Sequence, residues 1–132
     1  MTKKQFELAW QVNQNDCKTA YSYIDTVLNK FTELLLYKLK HNKDFKKYKP
    51  QLQNDFRIIK LYVSYKKGRY FNLYICISKS FIYVSNDPNV LDKNKAVCYY
   101  NTIDVILRND YYLSEIFYKI EKIRLDYRTI ML

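Results

Sequence analysis

The first forty residues carry hydrophobic side chains at helical spacing. Apolar positions recur three, four and seven residues apart, which places them on one face of a helix. They are Phe6, Ala9 and Trp10, followed by Cys17, Ala20, Tyr21, Ile24, Val27, Leu28, Phe31, Leu35 and Leu39. The polar segment 13–16 contains good N-cap residues, so the pattern predicts one long helix or, as we favour, a short helix and a longer one starting near Asp16. The helix should end before Pro50, because proline disfavours helical geometry in the residue ahead of it.

From residue 56 the apolar positions alternate, which is the pattern of a β-strand. The alternation runs through residues 56–65, pauses at Lys66-Lys67-Gly68-Arg69, and resumes over residues 70–78. Gly68 is the only glycine of the chain, and it stands where a tight hairpin turn needs a positive φ. These two segments therefore predict a β-hairpin.

Two further segments are candidates for strands. Residues 79–80 can turn the chain into the apolar segment 81–84, and the turn residues of segment 86–89 close that strand. Residues 96–100 offer a fourth strand after a polar loop. The sheet is therefore predicted to be an antiparallel meander of three to four strands.

The last thirty residues return to helical spacing. Asn101 is a good N-cap for a short helix over residues 103–108, and Asp104 lies at the helix end where the dipole favours a negative charge. Asn109 and Asp110 offer a second helix start. The apolar face of the final helix comprises Leu113, Ile116, Phe117, Ile120, Ile123 and Tyr127. The chain is thus predicted to end in helices that can cover a sheet.

The order of these elements predicts a single α+β domain that covers residues 1–132. A length of 132 residues is that of one ordinary domain and is enough to bury a continuous core. We expect the antiparallel β-meander to pack one face against the long N-terminal helix, or helix pair, and the C-terminal helices. The first strand is apolar on both faces over residues 58–63, so we expect it to lie centrally or to be partly covered on its second face.

Nothing in the sequence suits a membrane span or a secretion signal. The longest apolar candidates, residues 103–107 and 81–84, are far shorter than the roughly 18 residues that a membrane helix needs. Residues 1–14 begin with positive charge but lack an apolar region. The three cysteines are too few for a disulfide framework, and their odd number leaves a free thiol. We therefore expect a cytoplasmic protein, with Cys76 in the core.

The sequence contains no arrangement of residues that argues for an enzyme. Phosphate-binding loops need several glycines, and Gly68 is the only one present. A zinc site would need all three cysteines to converge with His41, which lies among lysines at a predicted helix end and is expected at the surface. A two-metal nuclease would need paired carboxylates to hold its ions. The available carboxylates stand mostly at turn and cap positions: Asp87, Asp92, Asp104, Asp110, Glu115 and Asp126. We therefore predict no catalytic residue, no metal and no cofactor.

The charge of the chain is its strongest functional signal. Lys and Arg number 23 against 13 Asp and Glu, and the resulting net charge of +10 attracts polyanions. Cations are concentrated in segment 38–49, where aromatic residues are interleaved, and in the predicted hairpin turn. Cations beside aromatic rings are what proteins use to bind single-stranded nucleic acids. The candidate binding residues are Lys38, Lys40, Lys43, Lys46, Lys47, Tyr48 and Lys49 in the segment and Lys66, Lys67, Arg69 and Tyr70 in the hairpin.

These features together predict a small, basic, non-enzymatic binding protein. Its expected partner is nucleic acid, either DNA or RNA, or a host protein that processes nucleic acid. Neither a membrane nor a small-molecule cofactor is expected. The abundance of lysine, asparagine, isoleucine and tyrosine reflects AT-rich codons, which suit a low-GC bacterium, its phages or plasmids, an organelle or a virus. Of these sources we expect a phage, virus or mobile element, with the protein acting in the host cytoplasm.

Three alternatives stay open at the level of sequence. The lysines of segment 38–49 also complement a helix dipole and can serve only to keep the chain soluble. The chain has 15 tyrosines, more than one core needs, and tyrosine is enriched at protein interfaces, which fits an inhibitor that blocks a host or defence enzyme. Small toxin ribonucleases can work with arginine, lysine and tyrosine alone, so a metal-free ribonuclease is the third.

Overall fold

The secondary structure follows the predicted order of helix, meander and helix. A computed structural model describes Lys4 and residues 17–53 and 57–130, with the side chains of the first helix given from Ile24 onwards. The helices in this part of the chain are α1 (Cys17–His41), α2 (Thr102–Leu107) and α3 (Asn109–Ile130), with a 3-10 helix over Lys46–Tyr48. The strands are β1 (Gln51–Leu52), β2 (Ile58–Lys66), β3 (Arg69–Ile77), β4 (Phe81–Ser85) and β5 (Cys98–Asn101).

The five strands form one antiparallel sheet in the order of the sequence, β1-β2-β3-β4-β5. This confirms the predicted α+β class and the meander, and it corrects the predicted number of three to four strands. The additional strand is β1, whose two residues pair with Lys60 and Ile59 of β2. Two residues give no recognisable period in a sequence, so β1 becomes visible only through its partner. The fourth candidate strand is confirmed as β5.

The hairpin between β2 and β3 turns at Gly68 as predicted. Lys66 pairs with Arg69 across the turn, and Gly68 has a φ of 76°. The hydroxyl of Ser64 donates to the carbonyl oxygens of Lys66 (3.2 Å) and Arg69 (3.4 Å), where the register between the strands shifts. The turn therefore fixes which residues of the two strands share a face of the sheet.

The ends of the helices match the predicted caps. The side chain of Asn101 accepts a hydrogen bond from the N–H of Asp104 (3.2 Å), which gives α2 its predicted N-cap. The α1 helix ends at His41, ahead of Pro50 as expected. The predicted break near Asp16 lies outside the described residues.

The two long helices cover one face of the sheet and bury one hydrophobic cluster. Alternate residues of the central strands point into it, among them Leu61 of β2 and Leu73 of β3, which face each other across the strands. The helices contribute Ile24, Leu28, Phe31, Leu35 and Leu39 from α1 and Leu113, Ile116 and Ile120 from α3. The apolar stripes predicted for both helices are therefore confirmed over these positions, and they direct both helices to the same side of the sheet.

The thiol of Cys76 is enclosed as predicted, but on the other face of the sheet. It lies outside the main cluster, and its Sγ donates to the carbonyl oxygen of Pro88 (3.7 Å) in the loop after β4. Burial and the carboxylate of Asp87 raise the pKa of this thiol to about 11. Cys98 is half-buried, and burial raises its pKa too. Both thiols are free and protonated at neutral pH.

We expect Gly68→Ala to lower the free energy of unfolding by about 1 kcal/mol, because a side chain at this φ is strained even in open space. Gly68→Asn should cost less, since asparagine tolerates the left-handed region. Urea denaturation of the three proteins measures the difference. Equal stability of all three would show that the turn does not depend on the conformation of Gly68.

Candidate nucleic-acid interface

The face of the sheet that points away from the two long helices is formed by alternate residues of β2 to β5, and we call it the outer face. Cross-strand pairs locate its members: Lys60 with Tyr74, Tyr62 with Asn72, Ser64 with Tyr70, Tyr83 with Tyr99, and Phe81 with Asn101. Side chains alternate along a strand, so these residues lie opposite the buried positions. Six of the ten are aromatic. Five of these rings are at least partly exposed and Tyr83 is buried, so the outer face is aromatic at its two sides and covered between them.

The strands carry positive charge without negative charge. No Asp or Glu occurs in β1 to β5. Residues 57–86 contain six Lys or Arg and no acid, and the acids nearest along the chain are Asp55 and Asp87. In contrast, four ion pairs between described residues all take their acid from α1 or α3. The acids of these pairs therefore belong to the helices, and the strands themselves contribute none.

The first aromatic group on the outer face comprises Tyr62, Tyr70 and Lys49, and we call it the Tyr62 cluster. The rings of Tyr62 and Tyr70 stack with their centroids 4.1 Å apart and their planes inclined by 22°. The ammonium of Lys49 lies 5.4 Å from the Tyr62 centroid, within range of cation–π attraction. Tyr70 is 50% exposed, so the stacked pair is accessible to solvent through the ring of Tyr70.

The second aromatic group comprises Phe81, Tyr99 and Lys93, and we call it the Phe81 cluster. The rings of Phe81 and Tyr99 meet edge to face, with centroids 5.7 Å apart. The ammonium of Lys93 lies 4.3 Å from the Phe81 centroid and 5.7 Å from that of Tyr99. Tyr99 is 45% exposed. This cluster thus repeats the combination of a solvent-facing ring and a lysine.

The two clusters lie at opposite sides of the outer face. The strands β2 and β5 are separated by three strand spacings, about 14 Å. Lys60 and Tyr74 form the next outer-face pair along β2 and β3 after Tyr62 and Asn72. This pair lies on the side of Tyr62 that faces the Phe81 cluster. Between the two clusters, Cys76, Tyr83 and Ser85 of the same face are buried, so the exposed rings form two separate groups, with Lys60 and Tyr74 next to the first.

The backbone of Lys49 adopts a left-handed conformation, with φ 51° and ψ 58°. Among the described residues it is the only one other than glycine with a positive φ. Its N–H donates to the carbonyl oxygen of Lys46 (3.1 Å) and closes the 3-10 helix. The left-handed conformation costs a residue with a side chain about 1–2 kcal/mol, a cost that glycine does not have. The fold thus holds a lysine beside the Tyr62 ring at a position suited to glycine.

The lysines predicted in segment 38–49 do not form one surface. Lys40, Lys43 and Lys46 are exposed. Lys38 faces α3, where its ammonium donates to the side chain of Asn109 and lies 3.4 Å from the carboxylate of Asp110. Of this segment, Lys49 is the residue found over a ring of the outer face.

Two further predicted binding residues, Lys47 and Tyr48, hold the 3-10 helix against α3. Tyr48 is 2% exposed, and its hydroxyl donates to the carboxylate of Glu121. Lys47 (3.1 Å) and Arg124 (2.9 Å) also contact this carboxylate. Burial opposes ionisation of Glu121, but the hydrogen bonds from Tyr48, Arg124 and Lys47 outweigh it, so its pKa lies below the ordinary value. Lys38, Lys47 and Tyr48 therefore contact α3 and do not belong to the outer face.

The predicted hairpin residues extend the outer face. Tyr70 is part of the Tyr62 cluster. Lys67 and Arg69 are exposed at the turn, and Lys66 is half-buried beside them. The hairpin therefore places cations next to the stacked rings.

Sequence reasoning missed most of the outer face. The residues absent from the sequence-based candidates are Lys60, Tyr62, Tyr74, Phe81, Lys93 and Tyr99. A signal for the strand residues is present in the sequence, since residues 57–86 combine alternating aromatics with cations and no acid. Lys93 carries no such signal, because it reaches the rings of Phe81 and Tyr99 only through the path of the loop between β4 and β5.

Comparisons of the chain with protein-family models, with curated proteins and with solved structures find no match.

In the described part of the chain, no helix combines the length and the apolar character needed to cross a bilayer. No group of three or more His, Cys, Asp or Glu side chains suited to a metal ion occurs within the same residues. His41 is exposed there, with its ring on that of Tyr37 (centroids 4.2 Å apart), which matches the predicted surface position.

We expect Glu121→Gln to lower the free energy of unfolding at pH 7 by about 1–2 kcal/mol, because the amide loses the charge that Lys47 and Arg124 neutralise. The folded pKa of Glu121 is lowered, so this stabilisation is fully present above the ordinary value of 4.5 and is lost as the pH falls through the folded value. We therefore expect the difference in free energy of unfolding between Glu121→Gln and wild type to be smaller at pH 3 than at pH 7, as measured by urea denaturation. Glu33→Gln, an exposed control on α1, should change little. A difference that does not vary with pH would contradict this account.

We expect Lys49→Gly to leave the free energy of unfolding unchanged or to raise it by up to about 1 kcal/mol, since glycine adopts this conformation without strain. The control is Lys43→Gly, an exposed lysine without a positive φ, which should lose stability. Thermal and urea denaturation measure both. Equal destabilisation by the two substitutions would show that Lys49 is not strained.

Proposed function

We propose that this protein is a non-enzymatic, single-stranded nucleic-acid-binding protein, and that the outer face is its binding surface. The observation that carries the proposal is the combination of two aromatic clusters, each with a lysine, on a sheet whose strands contain no acid. Bases stack on exposed rings at about 1–3 kcal/mol each, and nearby cations neutralise the phosphates.

Single strands fit this surface better than duplexes do. A base can stack on Tyr70 or Tyr99 only if its own face is free, and in a duplex that face is covered by the neighbouring base pairs. Some four-stranded sheets that present aromatic side chains bind two or three unpaired bases in this way. The same stacking serves DNA and RNA, because every base has a flat aromatic face.

The cations have two roles in this proposal. Lys49, Lys60 and Lys93 lie among the rings, where their ammonium groups can contact phosphates of a strand whose bases stack beside them. The exposed lysines of segment 38–49 add to the long-range field that attracts the polyanion. We place this activity in the cytoplasm, of the host if the source is a phage or virus, since two free thiols suit a reducing compartment.

Tyr62→Ala and Tyr70→Ala test the surface. We expect each to weaken the binding of a labelled ten-nucleotide single strand about tenfold, because stacking energy near 1.4 kcal/mol is lost. Lys49→Gly should weaken binding severalfold without loss of stability, since it removes a phosphate contact. Fluorescence anisotropy against single-stranded and duplex DNA and RNA at about 50 and 200 mM salt measures these effects and their salt dependence.

The matched control is Tyr118→Ala, which removes a tyrosine that is 69% exposed on α3. It should bind like the wild type. No binding at the lower salt concentration, or equal weakening by Tyr118→Ala and Tyr62→Ala, would overturn the proposed surface. Tighter binding to duplex than to single strand would overturn the stacking mechanism.

A second candidate function is inhibition of a nucleic-acid-handling enzyme through a protein contact, and α3 supplies the observation that favours it. Tyr111, Tyr118 and Leu125 recur every seven residues along α3 and are all exposed. Tyrosine at such positions is typical of protein interfaces. Tyr118→Glu should then abolish capture of a discrete partner while Tyr62→Glu leaves it intact. The opposite pattern would exclude α3 as the contact.

A further inference from the structure

A pocket opens beside the outer face, between the sheet and the loop that follows β4. It has a volume of about 310 Å³. Its lining combines Ile58, Cys76, Pro88 and Leu91 with the polar residues Ser78 and Asn89. We infer that this pocket accepts one unstacked nucleobase of a single strand bound on the outer face. The inference rests on the proposed function and adds a site that the aromatic clusters do not contain.

The position of the pocket connects it to the outer face. Ile58 and Cys76 form a cross-strand pair, and the next outer-face pair along the same strands is Lys60 with Tyr74. Two residues along a strand span about 7 Å. A strand of nucleic acid that crosses Lys60 and Tyr74 therefore lies within about 7 Å of the Ile58 and Cys76 pair that lines the pocket.

The loop that walls the pocket is held in place by its own hydrogen bonds. The Asp87 carboxylate accepts the N–H of Asn89 (2.9 Å), and the Ser85 hydroxyl accepts the N–H of Asp87 (3.0 Å). The Asp87 carbonyl oxygen accepts the N–H of Val90 (3.2 Å). The thiol of Cys76 contacts Pro88 from below. Because the loop is already ordered, binding does not incur the entropy cost of ordering it, which favours affinity.

The chemistry of the lining suits a heterocycle better than a phosphate. Arg57 also borders the pocket, but its guanidinium lies 3.2 Å from the carboxylate of Asp25, so its charge is already paired. The apolar side chains match the flat faces of a base. The exposed amide of Asn89 offers both a donor and an acceptor, as the edge of a base requires. The volume lies at the lower end of small-ligand pockets, which fits a single base.

The test combines a small probe with pocket variants. Uridine and adenosine 5′-monophosphates are titrated into the full-length protein, and backbone amide shifts are followed by NMR. The inference expects shifts at Ser78, Asn89 and Leu91. Asn89→Ala and Leu91→Ala should each weaken binding of the ten-nucleotide strand about fivefold, through loss of a hydrogen bond or of an apolar contact. Asn94→Ala, in the same loop but outside the lining, is the matched control.

The outcomes separate the pocket from the proposed function. If Tyr62→Ala weakens strand binding while Asn89→Ala and Leu91→Ala do not, and the amides of the pocket do not shift, the pocket inference is wrong and the aromatic surface stands. If the mononucleotides shift the pocket amides although Tyr62→Ala has no effect, the pocket stands and the aromatic surface fails. If the strand and the mononucleotides both leave the protein unchanged, both are wrong.

Discussion

The packing of α1 and α3 against one face of the sheet is the constraint on which the other features depend. Strand side chains alternate, so burial of Leu61, Leu73 and their neighbours commits every second residue to the core. The residues between them must then lie on the outer face, whatever their chemistry. A shift of register by one residue would exchange the two sets, and the turn at Gly68 is what fixes the register of the central pair.

The same layering divides the charges. Helix acids such as Asp110 and Glu121 neutralise lysines that join the helices and the 3-10 helix, so part of the positive charge maintains the fold. The strands have no acid with which to do this. The net charge of +10 is carried both by segment 38–49, where Lys40, Lys43 and Lys46 are exposed, and by the outer face, where Lys49 and Lys93 lie over rings. Lysines over rings also shield apolar surface from water, and both groups remain reachable from solvent.

Two local departures from ordinary geometry and burial lie beside the outer face. Lys49 holds a left-handed backbone that glycine would adopt more readily. Leu91 is exposed at the rim of a pocket, on a loop fixed by the carboxylate of Asp87. Conformational strain and exposed apolar side chains oppose stability, so sites that retain them are candidates for function. The core face departs from these rules less, since its members are mostly aliphatic, with Tyr65 and Phe71 at one end, and they are buried or half-buried and regularly spaced.

The element types, the antiparallel meander, the turn at Gly68 and the α2 cap could all be predicted from the amino-acid sequence, because each depends on local periodicity or on a single residue. The sequence also indicated a basic protein and the hairpin part of the candidate site. It did not reveal β1, whose two residues form a strand only by pairing with β2. Nor did it separate Lys49, which lies over Tyr62, from Lys38 and Lys47, which pair with acids more than seventy residues away. Only the tertiary structure decided these roles, because such contacts arise when distant segments pack and leave no local pattern in the chain.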